Sequence, residues 1–211
     1  MQVLRMIVGP FQANSYLAFD ENSKRAFVID PGSEGKEIAK IIRERSLILD
    51  YILLTHGHVD HIGGVDAIKQ EFPEAIIIAH PDDEDLLKDS ALNMSKMTLG
   101  EEISVIADKQ VVDGDIIPFD GKEIKVIHTP GHSKGGVCYQ IGDVIFTGDT
   151  LFRDSIGRSD FYGGDYKTLI DSIVEKIMVF PDEYIVYPGH MESSTIGREK
   201  KTNMFVKSYF R

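Results

Sequence analysis

Thr55-His56-Gly57-His58-Val59-Asp60-His61 packs three of the chain's seven histidines and an aspartate into six residues. It follows an apolar run at 51–54 that reads as a buried strand, so the cluster sits where a strand hands the chain to a loop. In extended backbone His56 and His58 point the same way, because side chains alternate with a period of two. Asp60 and His61 come after the chain turns and face a second point. Gly57, Gly63 and Gly64 leave room for close backbone approach. Three imidazoles and a carboxylate crowded together are costly in an apolar interior, and a divalent cation is their natural partner.

Working outward, residues 2–8, 15–19 and 25–29 read as strands, with 20–24 as the turn of a hairpin between the last two. A helix over 33–45 places Ile38, Ala39, Ile41 and Ile42 on one face. Past the histidine loop come a helical stretch to about Phe72, a strand at 75–79 and a short acidic helix from Pro81. Residues 90–110 show no clean period and read as a surface excursion. The turns Asp113-Gly114, Asp120-Gly121 and Gly142-Asp143 then bound strands at 116–119, 123–128, 137–141 and 144–147, a meander. A helix at 165–179, a strand at 184–187 and a closing helix at 195–209 complete the chain. The pattern predicts α/β layers, sheets covered by helices, with residues 1–211 as a single domain free of linkers and repeats.

Further ligand-type side chains stand just past later strands, each beside a glycine: Pro130-Gly131-His132, Gly148-Asp149 and Pro188-Gly189-His190. His80 reads as a helix-entry residue or a support behind the ligands, and His128, on a strand, as a core residue or another such support, both outside the ligand set. Cys138, the lone cysteine, reads as a small buried hydrophobe.

Composition limits the function classes. With 42% hydrophobic and 27% charged residues over 211 positions, the chain is an ordinary globular protein. The 34 acidic against 23 basic residues leave a net charge of −11, the wrong sign for counterion-driven nucleic-acid binding. No apolar run approaches the roughly 18 residues of a membrane span, and the first residues lack a signal-peptide core. The expectation is a cytoplasmic protein acting on a small molecule, with no nucleic-acid or membrane partner.

His56, His58, Asp60 and His61, with His132, Asp149 and His190, resemble the metal-binding signature of the metallo-β-lactamase superfamily across essentially the whole chain. The resemblance implies a four-layer αββα sandwich of two mixed β-sheets flanked by helices, with two divalent metal ions at one edge. It assigns His56, His58 and His132 to one ion, Asp60, His61 and His190 to the other, and Asp149 to the bridge. Zinc is the expected metal; imidazole and carboxylate suit iron and manganese as well. Such a site makes hydroxide from bound water and needs no serine or cysteine nucleophile. Asp60 would also orient that hydroxide, a catalytic role.

The stretch Gly157-Arg158-Ser159-Asp160-Phe161 is similar to a loop of glyoxalase II-like hydrolases and of persulfide dioxygenases. Thr195-Ile196-Gly197, with Glu199-Lys200 and Thr202-Asn203, resembles the short single-domain glyoxalase II-like proteins. The implied activity is hydrolysis of a small anionic acyl thioester, with Arg158 binding the substrate. Glu192 stands where full-length glyoxalase II has a tyrosine, and the helical domain that helps those enzymes bind glutathione is expected to be absent. Two alternatives stay open: a mononuclear iron persulfide dioxygenase using His56, His132 and Asp149, and a lactone or phosphodiester hydrolase. The basic end, Arg198, Lys200, Lys201, Lys207 and Arg211, offers Lys200 or Lys201 as a further contact for an anionic substrate.

Overall fold

Gln2–Val8 (β1) pairs antiparallel with Ala13–Phe19 (β2), which pairs antiparallel with Arg25–Ile29 (β3). The computed structural model describes residues 1–210, so Arg211 of the basic end lies outside the described residues. The described residues form two compact units, Met1–Ala79 with Asp83–Gln110, and His80–Asp82 with Val111 onward.

In the first unit, β3 continues through helix α1 (Gly35–Glu44) into Ile48–Leu53 (β4), and the parallel neighbours Ile76–Ala79 (β5) and Lys109–Gln110 (β6) complete a six-stranded mixed sheet. Between β4 and β5 lie α2 (Val59–Ile62) and α3 (Val65–Glu71); after β5 come α4 (Glu84–Lys88) and α5 (Ser95–Thr98). Ile38 and Ile42 of α1, and Val65 and Ile68 of α3, are one helical turn apart and bury against Leu17, Val28, Ile52 and Ile77 of the sheet. Each such aliphatic side chain contributes about 1.5–3 kcal/mol when fully buried. The β4 strand begins three residues earlier than the apolar run suggests, because Arg25 and Ile48 are already paired.

The 90–110 stretch is mostly exposed, as a surface excursion should be, but it is anchored inward. Asn93, Ser95 and Val105 are buried; Asn93 Nδ2 donates to the Ile103 carbonyl (2.9 Å), its Oδ1 accepts the Ser95 N–H (2.9 Å), and Val105 joins the core. Side-chain-to-backbone bonds organise this segment in place of a periodic apolar face, which is why periodicity missed it.

The second unit is also built on a six-stranded mixed sheet. Ile116–Phe119 (β7), Lys122–His128 (β8), Val137–Ile141 (β9) and Val144–Gly148 (β10) form the expected antiparallel meander. Leu151–Phe152 (β11) and Ser155–Ile156 (β12) make a small ribbon. Ile185–Pro188 (β13) then pairs parallel with β10, and Ser194–Thr195 (β14) closes the edge. Leu169, Ile170, Ile173 and Ile177 pack onto Ile127, Cys138, Ile145 and Val186 of this sheet. Buried Cys138 thus serves as a small core residue.

Two helices are shorter than their patterns. The 165–179 helix is α6 (Tyr166–Ser172), capped by Asp165 accepting from the Thr168 N–H, followed by a wider π turn over Ile173–Ile177 that keeps both isoleucines buried. The closing helix is α7 (Ile196–Thr202), which stops at Asn203; Lys207–Phe210 is only a 3-10 turn. The buried Asn203 amide donates to the Ser155 carbonyl and to Glu199, and its oxygen takes the Phe205 N–H, so tertiary hydrogen bonds end the helix. Among the described residues, no helix is long and apolar enough to cross a membrane.

Candidate metal centre

In the first unit the histidine cluster lies where β4 runs out. His58 keeps an extended backbone ahead of α2, and α2 carries Asp60 and His61. The His56 ring lies 4.9 Å from that of His58, edge to face, and 4.1 Å from that of His61. His61 Nε2 is 3.7 Å from Asp60 Oδ2. All three imidazoles are buried, and the Asp60 side chain retains 19% exposure.

Asp30, which the sequence reading passed over, organises this cluster. Its Oδ1 accepts the Thr55 N–H at 2.7 Å, and its Oδ2 accepts the Thr55 hydroxyl at 2.6 Å. The same Oδ2 lies 3.0 Å from His61 Nδ1. With Nδ1 of His61 held from behind, Nε2 is the atom it would offer a metal, the way a carboxylate orients a metal-binding imidazole. Asp30 has φ 48°, a left-handed conformation that aspartate tolerates better than most residues. A signal was present: Asp30-Pro31-Gly32 follows a buried strand and has a glycine nearby, as the other strand-end ligands do. Gly32 is obligatory, since a Cβ there would lie 1.5 Å from the Asp60 carbonyl oxygen.

In the second unit, the three loops that carry His132, Asp149 and His190 leave one edge of the sheet. Strands β8 and β10 are both antiparallel to β9 and therefore parallel to each other, and β13 is parallel to β10. Their C-terminal ends share an edge, and His132, Asp149 and His190 follow those ends. Asp149 Oδ2 lies 3.7 Å from His132 Nε2 and 3.6 Å from His190 Nε2. Two donors about 2 Å from one ion in tetrahedral geometry lie roughly 3.3 Å apart, so these separations and that of Asp60 to His61 fit ligands around cations. His132 Nδ1 donates to the Arg158 carbonyl at 2.7 Å, which turns its Nε2 toward Asp149. Gly157 permits this approach; a Cβ there would sit 1.7 Å from the Asp149 carbonyl oxygen.

The Arg158 side chain makes a two-pronged ion pair with Asp160, at 2.9 and 2.7 Å, and lies over the Phe161 ring. Lys200 donates to Asp182 (2.8 Å) and to the Phe180 carbonyl (3.3 Å). His80 and His128, unconnected in the sequence reading, stack on each other in the second unit.

A family model described as the metallo-beta-lactamase superfamily matches residues 8–190, and the chain belongs to that superfamily. It is 38% identical over 204 residues to the hydroxyacylglutathione hydrolase GloC of Haemophilus influenzae, covering 95% of this chain and 96% of that protein. The structure of BLEG-1, described as a B3 metallo-beta-lactamase, matches with a TM-score of 0.92 and 36% identity over 97% of this chain and 99% of that one. TTHA1623 in a di-iron-bound form matches with a TM-score of 0.83 and 33% identity, covering 96% of this chain and all of that one. The fold is therefore that of the superfamily, α/β with two large mixed sheets flanked by helices, and the chain is a metal-dependent hydrolase by family.

Proposed function

We propose that this chain, as a single metallohydrolase domain, cleaves a small anionic acyl thioester at a binuclear centre. His56, His58 and His132 hold one divalent ion, Asp60, His61 and His190 hold the other, and Asp149 is shared. The observation that carries the two-ion reading is Asp149 Oδ2, equally near His132 Nε2 and His190 Nε2. Identity to GloC along nearly the whole chain supports the thioester. Zinc is the metal proposed; the donor set admits iron and manganese, and the di-iron form of TTHA1623 keeps iron in view.

Two divalent ions held by these residues would supply hydroxide near neutral pH and polarise the acyl carbonyl. The remaining work falls to the chain. Asp60, whose side chain is partly open to solvent, would orient the attacking oxygen. Asp30 and the Arg158 carbonyl keep His61 and His132 in their ligating orientation. A thiol leaves readily as thiolate, its pKa being about 8–9, so no general acid is required. The Arg158 guanidinium exchanges its Asp160 partner for the substrate's carboxylate. A net charge of −11 supports a small-molecule substrate over a nucleic acid.

The test pairs metal content per chain with turnover of a 2-hydroxyacyl glutathione thioester, a neutral thioester, a β-lactam and a persulfide. Two ions per chain with thioester turnover is the expected result. One iron with oxygen uptake on the persulfide overturns it. Turnover of the β-lactam alone would favour the reading suggested by BLEG-1.

A further inference from the structure

Within the second unit, His80, Asp82 and His128 each offer one ligand atom, all within 4.8 Å of one another. The two rings stack with centroids 4.1 Å apart and planes 12° apart. Hydrogen bonds define which nitrogen of each carries a lone pair. The Asp82 N–H donates to His80 Nδ1 at 3.2 Å, and His128 Nε2 donates to the Lys134 carbonyl at 2.8 Å, which leaves His128 Nδ1 as an acceptor. Asp82 Oδ2 is 3.8 Å from His80 Nδ1, too far for a hydrogen bond. An ion about 2 Å from each would span that gap.

The surroundings favour a neutral imidazole at His80. Burial pushes His80 below its ordinary value and neighbouring His128 pushes it further; Asp82 and Asp113 pull it up, and Lys176 lowers it again. Lys176 is held by Asp113 at 3.2 Å and by the His128 carbonyl at 2.8 Å, so its charge is partly met. Asp82 is exposed, so the cluster meets solvent on that side.

We propose that His80, Asp82 and His128 form a separate site for a borderline divalent cation, Zn²⁺ or Cu²⁺, distinct from the superfamily ligand set. Two imidazoles and one carboxylate are a donor set that binds Cu²⁺ and Zn²⁺ ahead of Mn²⁺. The ion replaces the Asp82 N–H at His80 Nδ1 and draws the stacked rings out of parallel. The site does not depend on the thioester reading.

The experiment is calorimetric titration of Zn²⁺ into protein whose tightly held metal has first been counted. Wild type should take up one further equivalent at micromolar affinity. Asp82→Asn should weaken that event by at least about tenfold, and His128→Gln should remove it, while the tightly held metal count stays the same. Asp82 is exposed, so its variant leaves the fold intact. A Cu²⁺ resonance spectrum should show coupling to two nitrogens, and the Asp82 amide signal should shift on Zn²⁺ addition. Absence of the extra equivalent in wild type overturns the proposal, as does an unchanged titration in both variants.

Discussion

Asp30 contributes no atom to the proposed ligand set, yet His61 depends on it for orientation. Asp30→Asn keeps the shape and tolerates the φ of 48° while losing the carboxylate behind Nδ1. Metal affinity should fall about 10–100-fold, read by competition with a chelator, with thermal stability of the metal-free protein little changed. Unchanged affinity would remove Asp30 from the site. At Asp149 the effect should be larger. Asp149→Ala removes the oxygen near both His132 and His190, and metal analysis should find at least one ion fewer per chain. Retention of both ions would take Asp149 out of the bridge. The residue types around the centre were legible in the sequence, since histidine and aspartate beside glycine at successive strand ends is a rare pattern. The nitrogen each imidazole presents was not. That depends on partners such as Asp30, 31 positions away from His61.

At the scale of elements, α7 is held through one buried carboxylate. Glu199 accepts the Asp154 N–H (2.8 Å), the Asn203 amide (2.9 Å) and the Ser194 hydroxyl. Glu199→Ala strands these donors in a buried environment and should cost about 2–4 kcal/mol in urea unfolding. A loss below that of an ordinary surface substitution would show that water replaces the carboxylate. Asp154 makes a second, pH-sensitive tie to the same helix. Hydrogen bonds from Thr202 and then Arg198 lower its carboxyl from the ordinary 3.8. A depressed folded-state pKa gives a contribution that is complete above the unfolded value and disappears as pH falls through the folded one. The urea-midpoint difference between wild type and Asp154→Asn should therefore be constant at neutral pH and close below pH 3.8. A gap that persists at lower pH would contradict the assignment. Sequence periodicity carried α7 to residue 209 because it registers apolar spacing and is blind to Asn203 turning inward.

For the whole molecule, the proposed anionic acyl substrate has to be drawn to a protein with a net charge of −11. The Arg158–Asp160 pair is exposed on both sides, at 64% and 65%, and such pairs contribute at most about 1 kcal/mol. Releasing the guanidinium to a substrate carboxylate therefore costs little. Arg158→Ala should raise KM for an anionic thioester several-fold and leave a neutral thioester nearly unaffected. Equal effects on both would confine Arg158 to its surface pair and its carbonyl bond with His132. Lys200 is engaged by Asp182 and the Phe180 carbonyl, which weakens the expectation that it contacts substrate.

Alternating and helical periods, turn dipeptides and the placement of His56, His58, Asp60, His61, His132, Asp149 and His190 are written locally, so the sequence by itself determined the class of fold and membership of a superfamily of metal-dependent hydrolases. Tertiary structure alone decided that β8, β10 and β13 run the same way and deliver His132, Asp149 and His190 to one edge, because strand direction follows from pairing between distant segments. It alone placed Asp30 behind His61 and His80 against His128. A side chain's periodicity records which face it occupies; its hydrogen-bond partner is chosen only when folding brings remote chain together.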